Sequence, residues 1–185
     1  MVMVSEQSVI ESCQQWVSTV VVGLNFCPFA KSVIEAKGLA YTVIDERDIA
    51  RCLKIFCDEL KDLDASEGIE TKLLIYPQGF ESFDDYLELA ALAEALLIEE
   101  GYEGVFQLAT FHPDYCFEGQ KQDDPSNYTN RSPYPMLHLI REATIEAVLE
   151  NVANPEKIPA RNIHLARSKG RKEMEHLLQS CQPHD

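Results

Sequence analysis

The 185-residue chain is short of positive charge. Sixteen lysines and arginines stand against 31 acidic residues, a formal net charge of −15. Such a surface repels phosphate backbones and anionic headgroups at long range. That sets aside general nucleic-acid binding and attachment to a membrane surface, and leaves room for one small anion at a locally basic pocket. Long hydrophobic runs are missing too. The most apolar early stretch, Val17 to Leu24, falls far short of the ~20 residues that span a bilayer. Met1 to Trp16 has no basic segment followed by an apolar core, so no signal peptide is expected. Among the six cysteines there is no Cys-x-x-Cys pair and no Cys/His spacing of a structural zinc site. Without a secretory signal, a cytoplasmic location with reduced thiols is the expectation. Internal repeats and low-complexity linkers are absent as well.

What is present is an ordinary globular composition, 45% hydrophobic and 25% charged. A single domain over residues 1–185 is expected, with a core at about 6–151 and a helical tail at about 155–181. Glu6 to Val22 carries apolar residues at helical spacing, and Pro28 should break that helix near Asn25–Cys27. A short helix from Pro28 to Ala36 would stop at Gly38. Leu39–Asp45 alternates as a strand, Asp48–Leu63 has one apolar helical stripe, and Lys72–Tyr76 reads as a central strand. Ser82 opens a helix that ends at Gly101, and Gly104–Phe111 is a third strand. Strand, helix, strand, helix, strand implies an α/β fold: a βαβαβ core with a small, mostly parallel sheet, an N-terminal helix and C-terminal helices. A ferredoxin-like antiparallel sheet is the alternative. A further helix is expected from about Pro135 to Asn151.

Between the third strand and that helix lies a long polar and aromatic loop, Thr110 to Arg131. Loops beyond ~12–15 residues inside a compact domain are uncommon and often functional. His112 at the strand end is a candidate general acid, base or metal ligand, with Asp114 to orient it. The alternative is a histidine hydrogen-bonded to backbone. Arg131 and Ser132 precede the expected helix, whose free amides would favour an anion, with Asn127, Asn130 and Tyr128 as further contacts. His138 and Arg141, at i and i+3, would share a face of that helix. Asp123, Asp124 and the basic cluster Arg167 to Lys172 read as solvated.

Cys27 is the second local signal. At a helix N-terminus a thiol acidifies and becomes nucleophilic. The competing reading is a buried cysteine at a kinked helix. If Val17–Leu24 were a strand, Cys27-Pro-Phe-Ala would resemble the start of a glutaredoxin, with Ala30 in place of the second cysteine.

Three segments together, Gly23-Leu-Asn-Phe-Cys-Pro-Phe-Ala, Phe111-His-Pro-Asp-Tyr and Asn127-Tyr-Thr-Asn-Arg-Ser-Pro-Tyr-Pro-Met-Leu-His-Leu-Ile-Arg-Glu, resemble a bacterial domain-of-unknown-function family. The resemblance spans nearly the whole chain and implies its organisation, with no activity attached. The leading expectation is therefore a small-molecule enzyme acting on an anionic substrate, with His112, Asp114 and Cys27 catalytic and Arg131, Ser132, Asn127, Asn130, Tyr128, His138 and Arg141 binding. The alternatives are a noncatalytic ligand-binding or interaction protein, a metal protein using His112 with Asp114 or His138, and a thiol redox protein through Cys27. No cofactor and no oligomeric state follow from the residues.

Overall fold

Why these residues form these elements is largely a matter of caps and breakers. In the computed structural model, which describes residues 5–182, Ser5 caps helix α1, Glu6–Trp16, and the chain runs on into a π-helical stretch, Val17–Val22. Helix α2 is Ala30–Glu35. It ends with Lys37 in the left-handed region, while the Gly38 amide donates back to Val33 O at 2.8 Å. Asp48 caps α3, Ile49–Ala65, by accepting from the Arg51 amide at 3.0 Å. Ser82 does the same for α4, Phe83–Glu99. Strands β1 Leu39–Val43, β2 Thr71–Ile75 and β3 Phe106–Phe111 alternate with these helices, as the sequence pattern implied.

The departure comes after β3. Met136–Arg141 is a strand, β4, and the helix α5, Glu142–Leu149, starts directly at its end. The expected single helix from Pro135 is therefore corrected to a strand followed by a helix. Leu137, Ile140, Thr144 and Val148 suit a helical stripe, but the Met-Leu-His-Leu-Ile run suits a strand equally. Tyr134, ahead of Pro135, is pushed toward extended backbone. The tail holds α6, Ile158–Lys169, and α7, Arg171–Gln179, separated at Gly170.

The sheet has four strands in the order β1-β2-β4-β3. β1 and β2 pair in parallel; β4 lies antiparallel between β2 and β3. The sheet is thus mixed, and the expectation of a mostly parallel one is corrected: three strands share a direction, but the inserted β4 keeps β2 and β3 from pairing. On one face, Leu74, Tyr76, Leu137 and Leu139 pack under α3 and α4. On the other, Leu73, Ile75 and Met136 pack under α1, the π-helical stretch and the tail. Lys72 points to the first face, where Glu59 at 2.8 Å and Asp62 at 2.5 Å on α3 neutralise it.

At Gly23 the π-helical stretch closes tightly, its amide donating to Ser18 O at 3.0 Å. A Cβ there would sit 2.2 Å from Thr19 O, well inside contact distance. Gly23→Ala is expected to lower unfolding stability by about 1–3 kcal/mol in urea titration. A variant as stable as the parent would mean that the π turn is not held as described.

Candidate functional site

The long loop is folded, and several of its polar side chains are spent on backbone groups. The Arg131 guanidinium donates to Tyr115 O at 3.1 Å and Gln122 O at 2.7 Å and lies over the Tyr128 ring at 4.6 Å. Fully buried Asn127 accepts from the Phe117 amide at 3.1 Å and donates to Lys121 O at 2.8 Å. Asn130 donates to Thr110 O at 3.0 Å, and the Ser132 hydroxyl donates to Tyr134 O at 2.6 Å. Tyr128 is core. With a strand at Met136 instead of a helix, the free amides expected beside Arg131 are not there. Arg141, on β4, donates to Leu63, Ser66 and Ile69 carbonyls and stacks on Phe106. On a strand, i and i+3 point to opposite faces, so His138 and Arg141 are not brought together. Arg167, outside the expected set, bridges to the Asp124 carboxylate at 3.0 Å, and this pair holds that carboxyl at about 2.

His112 is buried between the rings of Phe83 and Tyr86 on α4. One ring nitrogen, Nε2, meets Phe80 O at 2.9 Å; the other, Nδ1, accepts from the Asp114 amide at 3.0 Å. Burial, the dominant effect, pushes its pKa down and favours the neutral ring. A neutral imidazole with one N–H given and one lone pair taken has no free valence for a substrate proton. Asp114 contributes its backbone to this arrangement, and its side chain is exposed. His112 lines neither of the two cavities that Cys27 borders.

Cys27 sits in the turn between the π-helical stretch and α2. The tail clamps that turn: Asn162 donates to Phe26 O at 2.7 Å and Arg161 donates to Asn25 O. Asn25 itself has φ 53. These clamps were invisible in the sequence, where Arg161 and Asn162 carry no motif. Because Val17–Val22 is helical, the glutaredoxin-like reading, which needs a strand there, is corrected. Burial pushes the Cys27 thiol up to about 11, against a smaller lowering from the Phe29 and Ala30 amides. The resting sulfur is a neutral thiol.

What Cys27 does share is a cavity with His138. A pocket of about 180 Å3 lies between the sheet and the N-terminal helices, walled by Trp16, Val33, Leu73, Ala109, Phe111 and Ile140. Cys27, Thr71 and His138 bring its polar groups. Thr71 Oγ1 is 2.6 Å from Leu139 O, which only accepts, so the hydroxyl proton goes there. The same oxygen is 2.5 Å from His138 Nε2, which must then carry the N–H. Nδ1 is left with its lone pair and no partner among the described residues. Burial lowers the His138 pKa to about 4, so this acceptor is neutral at pH 7. A second cavity, of about 320 Å3, shares Val21, Cys27 and Phe111 with the first and reaches Thr129, Asn130 and Asn162. The three motif segments thus converge around Cys27 and Phe111. Among the described residues no group of three metal-ligating side chains comes together, and no helix is long and apolar enough to cross a membrane.

Fold and cavity together define an α/β protein with a mixed sheet and a partly open, mainly apolar cavity. The chain belongs to the family described as "Protein of unknown function (DUF1415)", whose model matches residues 8–176. No curated protein and no solved structure matches it.

The lowered His138 and His112 pKa values set a pH dependence. Between the unfolded histidine pKa of ~6.5 and the folded value, the unfolded chain binds protons that the native one does not. Stability is therefore full above about pH 6.5 and falls toward pH 4, where His138 titrates. In urea titrations across this range, His138→Leu should flatten part of that slope. An unchanged slope would mean that His138 is not held neutral by the fold.

Proposed function

We propose that the protein binds a small molecule in the cavity between Cys27 and His138. The observation that carries this reading is the cavity itself: apolar walls with one thiol and one oriented, unpartnered imidazole nitrogen. Ligand sites are commonly of this kind, apolar with a few convergent polar groups. Its size suits one small ring or a short chain, and a larger residue than Ala109 would fill it. The anionic ligand expected at Arg131 loses its support, because that guanidinium is saturated by carbonyls.

A second reading, an enzyme with Cys27 as nucleophile, is favoured by one fact: Cys27 borders both cavities, so a ligand in either reaches it. Its thiol would have to be deprotonated on ligand binding, since burial suppresses the thiolate in the resting protein.

Benzene and phenol are suitable first probes, since an apolar cavity of ~150 Å3 accommodates benzene. Titrated into 15N,13C-labelled protein, they should shift resonances of Leu73, Ala109 and Ile140, with phenol adding a shift at the His138 ring. Ala109→Leu should abolish these shifts while holding or raising the melting temperature. Shifts absent from the cavity, or unchanged in Ala109→Leu, would rule this site out. Iodoacetamide at pH 7.5 should alkylate Cys27 at least about tenfold more slowly than a free cysteine. Faster labelling would favour the enzyme reading.

A further inference from the structure

The apolar cavity borders a groove of different chemistry. Val17, Ile34 and Leu39 line both it and a more open groove of about 530 Å3 between α1, α2 and β1. The two spaces therefore share a wall. Ile34, at that seam, is 38% exposed although aliphatic. Inside the seam the walls are apolar. Outside it the groove presents Lys31, Lys37, Ser18, Gln14 and Tyr41 against a single carboxylate, Glu35.

The two lysines matter because other cations near the sheet and loop are committed. Arg131 and Arg141 are held by carbonyls, and Lys72 is neutralised by two carboxylates. Lys31 reaches Glu35 only at 3.9 Å, with both side chains mostly in solvent, and Lys37 has no ion pair among the described residues. Lys37 is also fixed at the end of α2 by the turn that gives it φ 58. Tyr41 lines the same groove, and its hydroxyl has no partner among the described residues. Burial raises the Tyr41 pKa, so the hydroxyl remains a donor at ordinary pH. In a chain of net charge −15, a donor-rich, cationic groove beside an apolar cavity is a departure that a neutral ligand would not use.

We infer that the ligand is an amphiphilic monocarboxylate, with one aromatic ring or about six aliphatic carbons in the cavity and its carboxylate in the groove at Lys31 and Lys37. This rests on the reading that the cavity binds a small molecule. An apolar end of that size matches a volume of 180 Å3, and a two- or three-carbon tether spans the seam at Ile34. The head group is an anion held by exposed ammonium groups, so its contribution is modest and screened by salt.

The test uses the whole protein and four probes: 3-phenylpropionate, nonanoate, the neutral 3-phenylpropanamide, and benzene, each titrated by NMR. The expected result is that 3-phenylpropionate binds about fivefold more tightly than the amide in low salt. That preference should vanish in a Lys31→Gln/Lys37→Gln double variant and in 0.5 M NaCl, with the affinity for the amide unchanged in both. Both lysines are on the surface, so the variant should fold, which circular dichroism checks. Nonanoate against 3-phenylpropionate separates an aliphatic from an aromatic occupant. Equal affinity for acid and amide, or a preference that survives the double variant, overturns this inference while benzene binding keeps the cavity reading. If benzene and all three other probes fail to bind, both readings fall.

Discussion

The ladder that inserts Met136–Arg141 antiparallel between Thr71–Ile75 and Phe106–Phe111 sets the conditions for the rest of the structure. β3 and β4 are adjacent and antiparallel, and the long polar loop connects their paired ends, Phe111 and Met136. Its two ends are held together by Tyr86 from α4, whose hydroxyl donates to Met136 O at 2.7 Å and accepts from the Phe111 amide at 3.0 Å. The same insertion turns His138 toward the N-terminal helices and brings it to Thr71 on β2. A helix at this position would have given neither contact.

The loop then shows how a chain rich in polar side chains can be quiet chemically. A non-repetitive backbone carries N–H and C=O groups with no ladder to pair them, and burying them unpaired is costly. Arg131, Asn127, Asn130 and His112 supply those partners. Each is thereby removed from solvent chemistry. Other groups keep spare valence: the buried hydroxyls of Tyr76 and Ser126, and, on the other face of the sheet, Cys27 and His138. The last two are held uncharged there by burial. That makes the cavity suited to the neutral part of a ligand.

Much of this fold is legible in the sequence. Asp48 and Ser82 announce their helices by capping chemistry, and Gly170 divides the tail because the backbone there takes φ 81. The strand at Met136 was harder. Its apolar spacing fits both periods, and what decides is a pair of long-range ladders that no local pattern encodes. The Pro133-x-Pro135 lead-in was the available hint of extended chain. For the site, Cys27 and His138 could be singled out by residue type. Thr71, Ala109 and the lysines at Lys31 and Lys37 could not, because their significance comes from sharing a cavity wall or its mouth. His112 carried a strong chemical signal and proved to be a backbone partner, since hydrogen-bond saturation is a property of the fold.

The central claim is that the space between Cys27 and His138 is a true, occupiable cavity in the native protein. Crystals pressurised with xenon test it most directly, because xenon enters apolar voids of this size without needing any polar contact. The account predicts xenon density in van der Waals contact with Leu73, Ala109 and Ile140, within reach of the His138 ring. A cavity closed by repacked side chains, with no xenon between the sheet and the N-terminal helices, would contradict it.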